Sequence, residues 1–172
     1  MHMFLFALLL TSPSSAGDDC VYDAVPTASR ASIGQAVLAK RPKDGDVLDA
    51  LQKATDGCAI ENDWSVDQTL KANGYASMRF TADTIADRLG HRSWSETARK
   101  AVRARPTEQL KTLAGTGGGG AEFELVLAQM IGDDPSLPGA IRASTDDAMR
   151  LFVLMVKLQA VGELERLQLS TR

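Results

Sequence analysis

Basic side chains are concentrated in one short stretch of this 172-residue chain. Residues 88–111 contain 7 basic and 2 acidic side chains, whereas the whole chain carries a net charge of -3. Arg99 and Arg103 are four positions apart, so on a helix they share one face. A surface of this kind attracts anions. The candidate anion-binding or partner-binding residues of this basic stretch are Arg92, Trp94, Arg99, Lys100, Arg103 and Arg105.

Three kinds of partner suit the basic stretch: anionic lipid head groups, acidic glycans and an acidic protein. Nucleic acid would also suit it electrostatically, but we expect none, because the N-terminal residues described below predict export from the cell. The alternative interpretation is that these charges pair with acidic side chains of the same chain and remain solvated. The sequence leaves both interpretations open.

The chain offers little for catalysis. It has two histidines, and only His91 lies beyond the first residues, in a joint between two predicted helices where an exposed or capping role suits it. No Gly-x-Ser-x-Gly motif is present to hold a nucleophilic serine. The composition therefore favours a non-enzymatic binding or interaction protein. The alternative is a small hydrolase or small-molecule binder with a pocket between helices, lined by His91 or a buried glutamate.

The glycine-rich residues 115–120 are the one segment that suggests a phosphate loop. Such loops end in Gly-Lys-Ser/Thr, whereas here Ala121 and Glu122 follow, and a carboxylate at that place repels phosphate. We therefore expect a flexible connector. Asp44-Gly45-Asp46 likewise lacks the later ligands of a calcium loop. The sequence predicts no metal site and no cofactor.

The first sixteen residues have the pattern of a secretory signal peptide. A short apolar run, Phe4 to Leu10, precedes Pro13 and the small residues Ser14 and Ala16, where we expect cleavage. The start lacks the usual Lys or Arg, and a buried N-terminal helix of a cytosolic protein is the alternative. The run is too short to span a bilayer. We therefore expect a periplasmic protein, residues 17–172, with no transmembrane segment after removal of residues 1–16.

Cys20 and Cys58 are the two cysteines of the chain. In an exported protein an even pair of cysteines predicts a disulfide. Closing a loop of this length stabilises a fold by roughly 4 kcal/mol if chain entropy dominates. Two free buried thiols or a metal site are the alternatives. Two cysteines and one histidine are too few ligands for a closed zinc site.

Apolar residues recur at helical spacing through most of the mature chain, and no segment shows the alternation of a strand. In the third long helix the predicted inward positions include Val66, Leu70 and Ile85. Capping boxes are predicted at Ser65, Ser93 and Ser144, and Asn73-Gly74 suggests a break or a kink in the third long helix. These patterns predict an all-α protein: one domain of six or seven helices, extending over residues 17–172 and including the connector 115–120.

The most apolar predicted helix is the last one, Asp146–Leu169. Between Leu151 and Val161 only Lys157 and Gln159 are polar. A helix that is apolar around most of its circumference must be covered by other helices or by a second copy of itself. We expect the other helices to pack around it, and self-association through this helix is the alternative.

Overall fold

The computed structural model describes residues 17–40, 45–115 and 120–169, and all regular secondary structure in these ranges is helical. The all-α prediction is confirmed. The predicted leader, residues 1–16, and the central part of the predicted connector, residues 116–119, lie outside the described ranges. The described helices are α1 Cys20–Ala24, α2 Thr27–Leu38, α3 Gly45–Glu61, α4 Val66–Arg88, α5 Ser93–Arg103, α6 Thr107–Ala114, α7 Ala121–Asp133, α8 Leu137–Arg142 and α9 Asp146–Leu169.

The predicted number of six or seven helices is wrong, because the described part of the chain contains nine. The two shortest helices are α1, with 5 residues, and α8, with 6 residues. Neither completes two turns, so neither can show the recurring apolar spacing by which a helix is recognised in a sequence. The remaining seven helices are each 8 residues long or longer.

The ends of the helices follow local side-chain chemistry in part. At the start of α4 the Ser65 hydroxyl accepts from the Gln68 amide, and the Gln68 side chain accepts from the Ser65 amide, which confirms that capping box. At α5 the N-cap is Arg92, with no side-chain cap. Before α9 the amide of Ala148 donates to Thr145 Oγ1 at 3.3 Å. Helix α4 continues through Asn73-Gly74, so the helix is not broken there.

The larger hydrophobic core lies where α9 packs against α4, α5 and α6. Phe152, Met155 and Val156 of α9 are buried there. The same core contains buried residues that precede the connector, such as Leu110, and others that follow it, such as Met130. Helix α7 reaches this core by packing against α5.

A smaller core holds the first helices, and the disulfide lies within it. Val21, Ile33 and Phe80 are buried in this core together with Leu169 at the end of α9. The Sγ atoms of Cys20 and Cys58 are bonded at 2.03 Å, which joins α1 to α3 and confirms the predicted disulfide. The bond fixes α1 against α3.

None of the described helices combines the length and the apolar composition that crossing a bilayer requires.

Candidate functional site

Four of the six predicted binding residues are arginines on α5 or next to it. Each of them donates hydrogen bonds to acceptors in the same chain. Arg92 Nε donates to Asp87 Oδ1 at 2.9 Å, and Arg99 Nε donates to Glu96 Oε2 at 2.9 Å. Burial alone would lower the pKa of Arg99, but the hydrogen bonds and the charge of Glu96 outweigh it and raise the pKa. Arg105 donates to Gln129, and Arg103 enters the ion cluster described below.

The remaining two residues of the basic stretch differ completely in exposure. Lys100 is exposed to solvent. Trp94 is only 2% exposed, and its ring packs edge-on against Phe152 in the larger core. The His91 ring stacks on Trp94 with ring centroids 3.9 Å apart. Trp94 therefore stabilises the fold at this place and does not present its ring to a partner.

The indole of Trp94 also makes a polar contact. Its Nε1 donates to Asp134 Oδ2 at 3.3 Å, in the loop between α7 and α8. Hydrogen bonds from the side chain and backbone of Ser136, and from Trp94, hold the pKa of Asp134 below its usual value. Asp134 thus acts as a charged acceptor that fixes this loop against α5.

Three carboxylates and three guanidinium groups form an ion cluster between the N-terminal segment and helices α4, α5 and α9. Its first half is centred on Asp19. Arg79 Nη1 donates to Asp19 Oδ1 at 2.5 Å, and the Tyr75 hydroxyl donates to the same oxygen at 2.8 Å. Arg103 Nη2 lies 3.7 Å from that oxygen and donates to the Tyr75 hydroxyl. The members of the cluster are Asp18, Asp19, Arg79, Arg103, Glu163 and Arg166.

The second half of the ion cluster is centred on Glu163, which is 3% exposed. Arg103 Nε donates to Glu163 Oε2 at 3.1 Å. Arg166 Nε donates to both carboxylate oxygens of Glu163 at 2.9 Å, and Arg166 Nη1 donates to Asp18 Oδ2 at 2.7 Å. The hydrogen bonds that Arg166 donates to Glu163, followed by the one that it donates to Asp18, raise the pKa of Arg166.

The ion cluster is electrically neutral, and each of its carboxylates already accepts hydrogen bonds from a guanidinium group. Such an arrangement is suited to holding segments of chain together and poorly suited to proton transfer, because the charges stabilise one another. It joins the first described residues, Asp18 and Asp19, to α4, α5 and α9. This is a structural role, and it engages Arg103 of the basic stretch.

A second buried polar chain connects α1, α4, α5 and α9. The Tyr22 hydroxyl donates to Asp83 Oδ2 at 2.7 Å, and the Ser95 hydroxyl donates to Asp83 Oδ1 at 2.5 Å. Gln159 Nε2 donates to Ser95 Oγ at 2.9 Å. A hydrolase of the serine–histidine type would instead need the serine to donate to an imidazole base. His91 stacks on Trp94, as described above, and the proton of Ser95 is directed at a carboxylate.

Both tyrosines of the chain take part in these polar networks. Burial raises the pKa of Tyr75, and the positive charges of Arg79 and Arg103 oppose that shift. Burial also raises the pKa of Tyr22, and the hydrogen bond to Asp83 adds to the effect. In both cases the protein stabilises the neutral phenol relative to the phenolate.

We expect both tyrosines to ionise above the ordinary pKa of 10.0 in the folded protein and near it in urea. Above pH 10.0 the unfolded chain then binds fewer protons than the folded one, so the free energy of unfolding falls as pH rises. Ultraviolet absorbance of the tyrosinate form measures both titrations. A Tyr75→Phe variant leaves Tyr22 as the single reporter. A folded protein that titrates like the unfolded chain would contradict the burial of both hydroxyls.

The most exposed large aliphatic side chains lie together at the turn between α3 and α4. Ile60 in the last turn of α3 is 83% exposed, Val66 at the start of α4 is 79% exposed, and Leu70 one turn later is 66% exposed. We call these three residues the α3–α4 tip. The apolar patterns found in the sequence did not single out this tip. Val66 and Leu70 have the spacing of inward positions and were predicted to face the core.

Comparison of the chain with protein-family models, with curated proteins and with solved structures finds no significant match. The function must therefore be argued from the arrangement of the residues.

Proposed function

We propose that this protein is an exported, non-enzymatic binding protein of the cell envelope, built as one helical domain around α9. The N-terminal pattern of an apolar run followed by small residues supports export. The Cys20–Cys58 disulfide agrees with it, since such bonds persist mainly in oxidising compartments. The proposed location is the periplasm.

The observation that carries a binding role is the α3–α4 tip. Single exposed apolar residues are normal on a protein surface, whereas several at one place mark an interaction site. Ile60, Val66 and Leu70 are the most exposed of the large aliphatic side chains in the described residues, and all three lie within one helix–turn–helix corner. A partner that covers them removes apolar surface from water.

The basic stretch, residues 92–105, is the weaker candidate for the binding surface. Its anionic partners would be lipid head groups, glycans or an acidic protein. Arg99 and Arg103 are already paired with carboxylates, and Arg92 contacts Asp87. Lys100, the remaining cation of the stretch, is exposed and has no ion pair among the described residues. Because one lysine provides little affinity by itself, the tip is the better supported surface.

Export and oxidation are tested together by native mass spectrometry of the protein, purified unreduced from an exporting host. We expect a chain that begins at Gly17 and lacks the two hydrogens of the reduced thiols. The reduced sample, measured in parallel, is the control for the bond. A chain that retains residues 1–16 and has free thiols would contradict the proposed export.

A further inference from the structure

We infer that the α3–α4 tip docks a cationic, amphipathic helix of a partner protein. The inference rests on the proposed binding function and names the partner's chemistry. It is carried by two features of the tip: the exposed aliphatic residues and the charge of the residues around them.

The apolar part of the tip has the geometry of a helix contact. Val66 and Leu70 are four positions apart in α4, so their side chains form one ridge along the helix surface. Ridges of this kind pack into the grooves of another helix. Ile60, in the last turn of α3, is the exposed aliphatic residue on the other side of the connection formed by residues 62–65. An amphipathic helix can cover such a corner with side chains spaced three or four residues apart.

The charged side chains around the tip are acidic, and the lysine that follows Leu70, Lys71, is paired with Glu165 of α9. Residues 56–70 contain four carboxylates and no lysine, arginine or histidine. Glu61, Asp63 and Asp67 are exposed, and the described residues provide none of them with an ion pair. An apolar centre with a charged rim is the usual anatomy of a protein interface. Lysine and arginine side chains on the partner would complement this rim.

The charge distribution also distinguishes between kinds of partner. Anionic membranes attract basic segments, so the four carboxylates of residues 56–70 disfavour a lipid surface. A second copy joined by a two-fold axis would place each acidic rim against itself. Like charges that face each other across an interface oppose binding. A cationic helix avoids both conflicts.

The experiment uses the mature protein, residues 17–172, and a fluorescently labelled helical peptide with leucine along one face and lysine along the other. Fluorescence anisotropy measures the dissociation constant. We expect saturable binding that weakens as salt increases, because charge contributes to it. A peptide of the same spacing with glutamate in place of lysine is the matched control, and we expect it not to bind.

Protein variants then locate the contact. We expect Leu70→Gln and Val66→Gln each to weaken peptide binding about tenfold, as removal of a central apolar contact does. Leu125→Gln changes another exposed leucine, on α7, and is expected to leave the affinity unchanged. Asp67→Asn is expected to reduce the salt dependence, whereas Asp147→Asn on α9 leaves it unchanged. Circular dichroism confirms that each variant is folded.

Several outcomes would overturn this inference. Peptide binding that Val66→Gln and Leu70→Gln leave unchanged would remove the tip as the docking site. Tighter binding of the glutamate peptide, of anionic vesicles or of a second copy would assign the tip to another partner. Those last three results overturn the cationic helix but leave a binding function in place. The proposed exported protein fails separately, through the mass measurement described above.

Discussion

Replacing Glu163 by alanine is expected to lower the free energy of unfolding by about 3 kcal/mol or more, as removal of one member of a buried ion pair does. Glu163 is buried and receives hydrogen bonds from both Arg103 and Arg166. Without it the ion cluster has three guanidinium groups and two carboxylates. The excess positive charge must then be hydrated in a place where the surrounding helices restrict water.

Urea denaturation followed by circular dichroism measures this loss. Glu108→Ala is the matched control, because Glu108 makes an exposed ion pair with Lys111 and its removal should cost less than about 1 kcal/mol. Glu163→Gln keeps the shape and one acceptor oxygen but removes the charge. We expect its stability to lie between that of Glu163→Ala and that of the unchanged protein.

A Glu163→Ala variant as stable as Glu108→Ala would mean that solvent already screens the ion cluster. The ion cluster would then contribute little to the stability of the fold. The expected result would instead show that Asp18 and Asp19, which precede α1, are held in place by charges on three separate helices.

The features that could be predicted from the sequence are those determined by neighbouring residues or by simple counting. The capping box at Ser65 is local, because Ser65 and Gln68 are three positions apart. The longer helices repeat their apolar spacing often enough to be recognised. Two cysteines in the predicted mature chain allow only one pairing, so Cys20 and Cys58 could be assigned together.

The ion cluster could not be predicted, because its members are far apart in the chain. Arg103 and Glu163 are separated by 60 positions and Arg166 and Asp18 by 148. The tertiary arrangement of the helices brings these pairs together, and no periodic pattern in the sequence predicts them. The same arrangement buries Trp94, which the sequence placed on a basic surface.

The exposure of the α3–α4 tip was also not predicted, but here the cause is a local pattern that pointed to burial. Apolar spacing along α4 suggested that Val66 and Leu70 face inward together with Ile85. Helix α9 reaches the first turns of α4, where Gln68 Nε2 donates to the Leu169 carbonyl oxygen at 3.3 Å and Lys71 pairs with Glu165. Val66 and Leu70 nevertheless remain exposed, so residues with the spacing of core positions are not covered there. A mismatch between spacing and exposure is itself a reason to examine these residues as a contact surface.

Replacing Gly34 by alanine is expected to cost about 3 kcal/mol of stability, at the upper end of the usual cost of overpacking a core. Gly34 lies on the buried face of α2, where that helix crosses α4. A Cβ atom at Gly34 would lie 2.8 Å from the carbonyl carbon of Phe80, and closer still to the Phe80 oxygen and to Thr84 Oγ1. A side chain can rotate away from such a contact, but the backbone of α4 cannot.

Gly57→Ala is the matched control for this prediction, since Gly57 lies within helix α3 and a Cβ atom there has open space. Alanine is the better helix former, so Gly57→Ala should stabilise the protein by about 0.5–1 kcal/mol. Urea denaturation of both variants therefore separates helix propensity from packing, with opposite signs expected. If Gly34→Ala were also stabilising, α2 and α4 could not cross as closely as described. If it destabilises as expected, the absence of a single side chain is what allows α2 to lie directly on the backbone of α4.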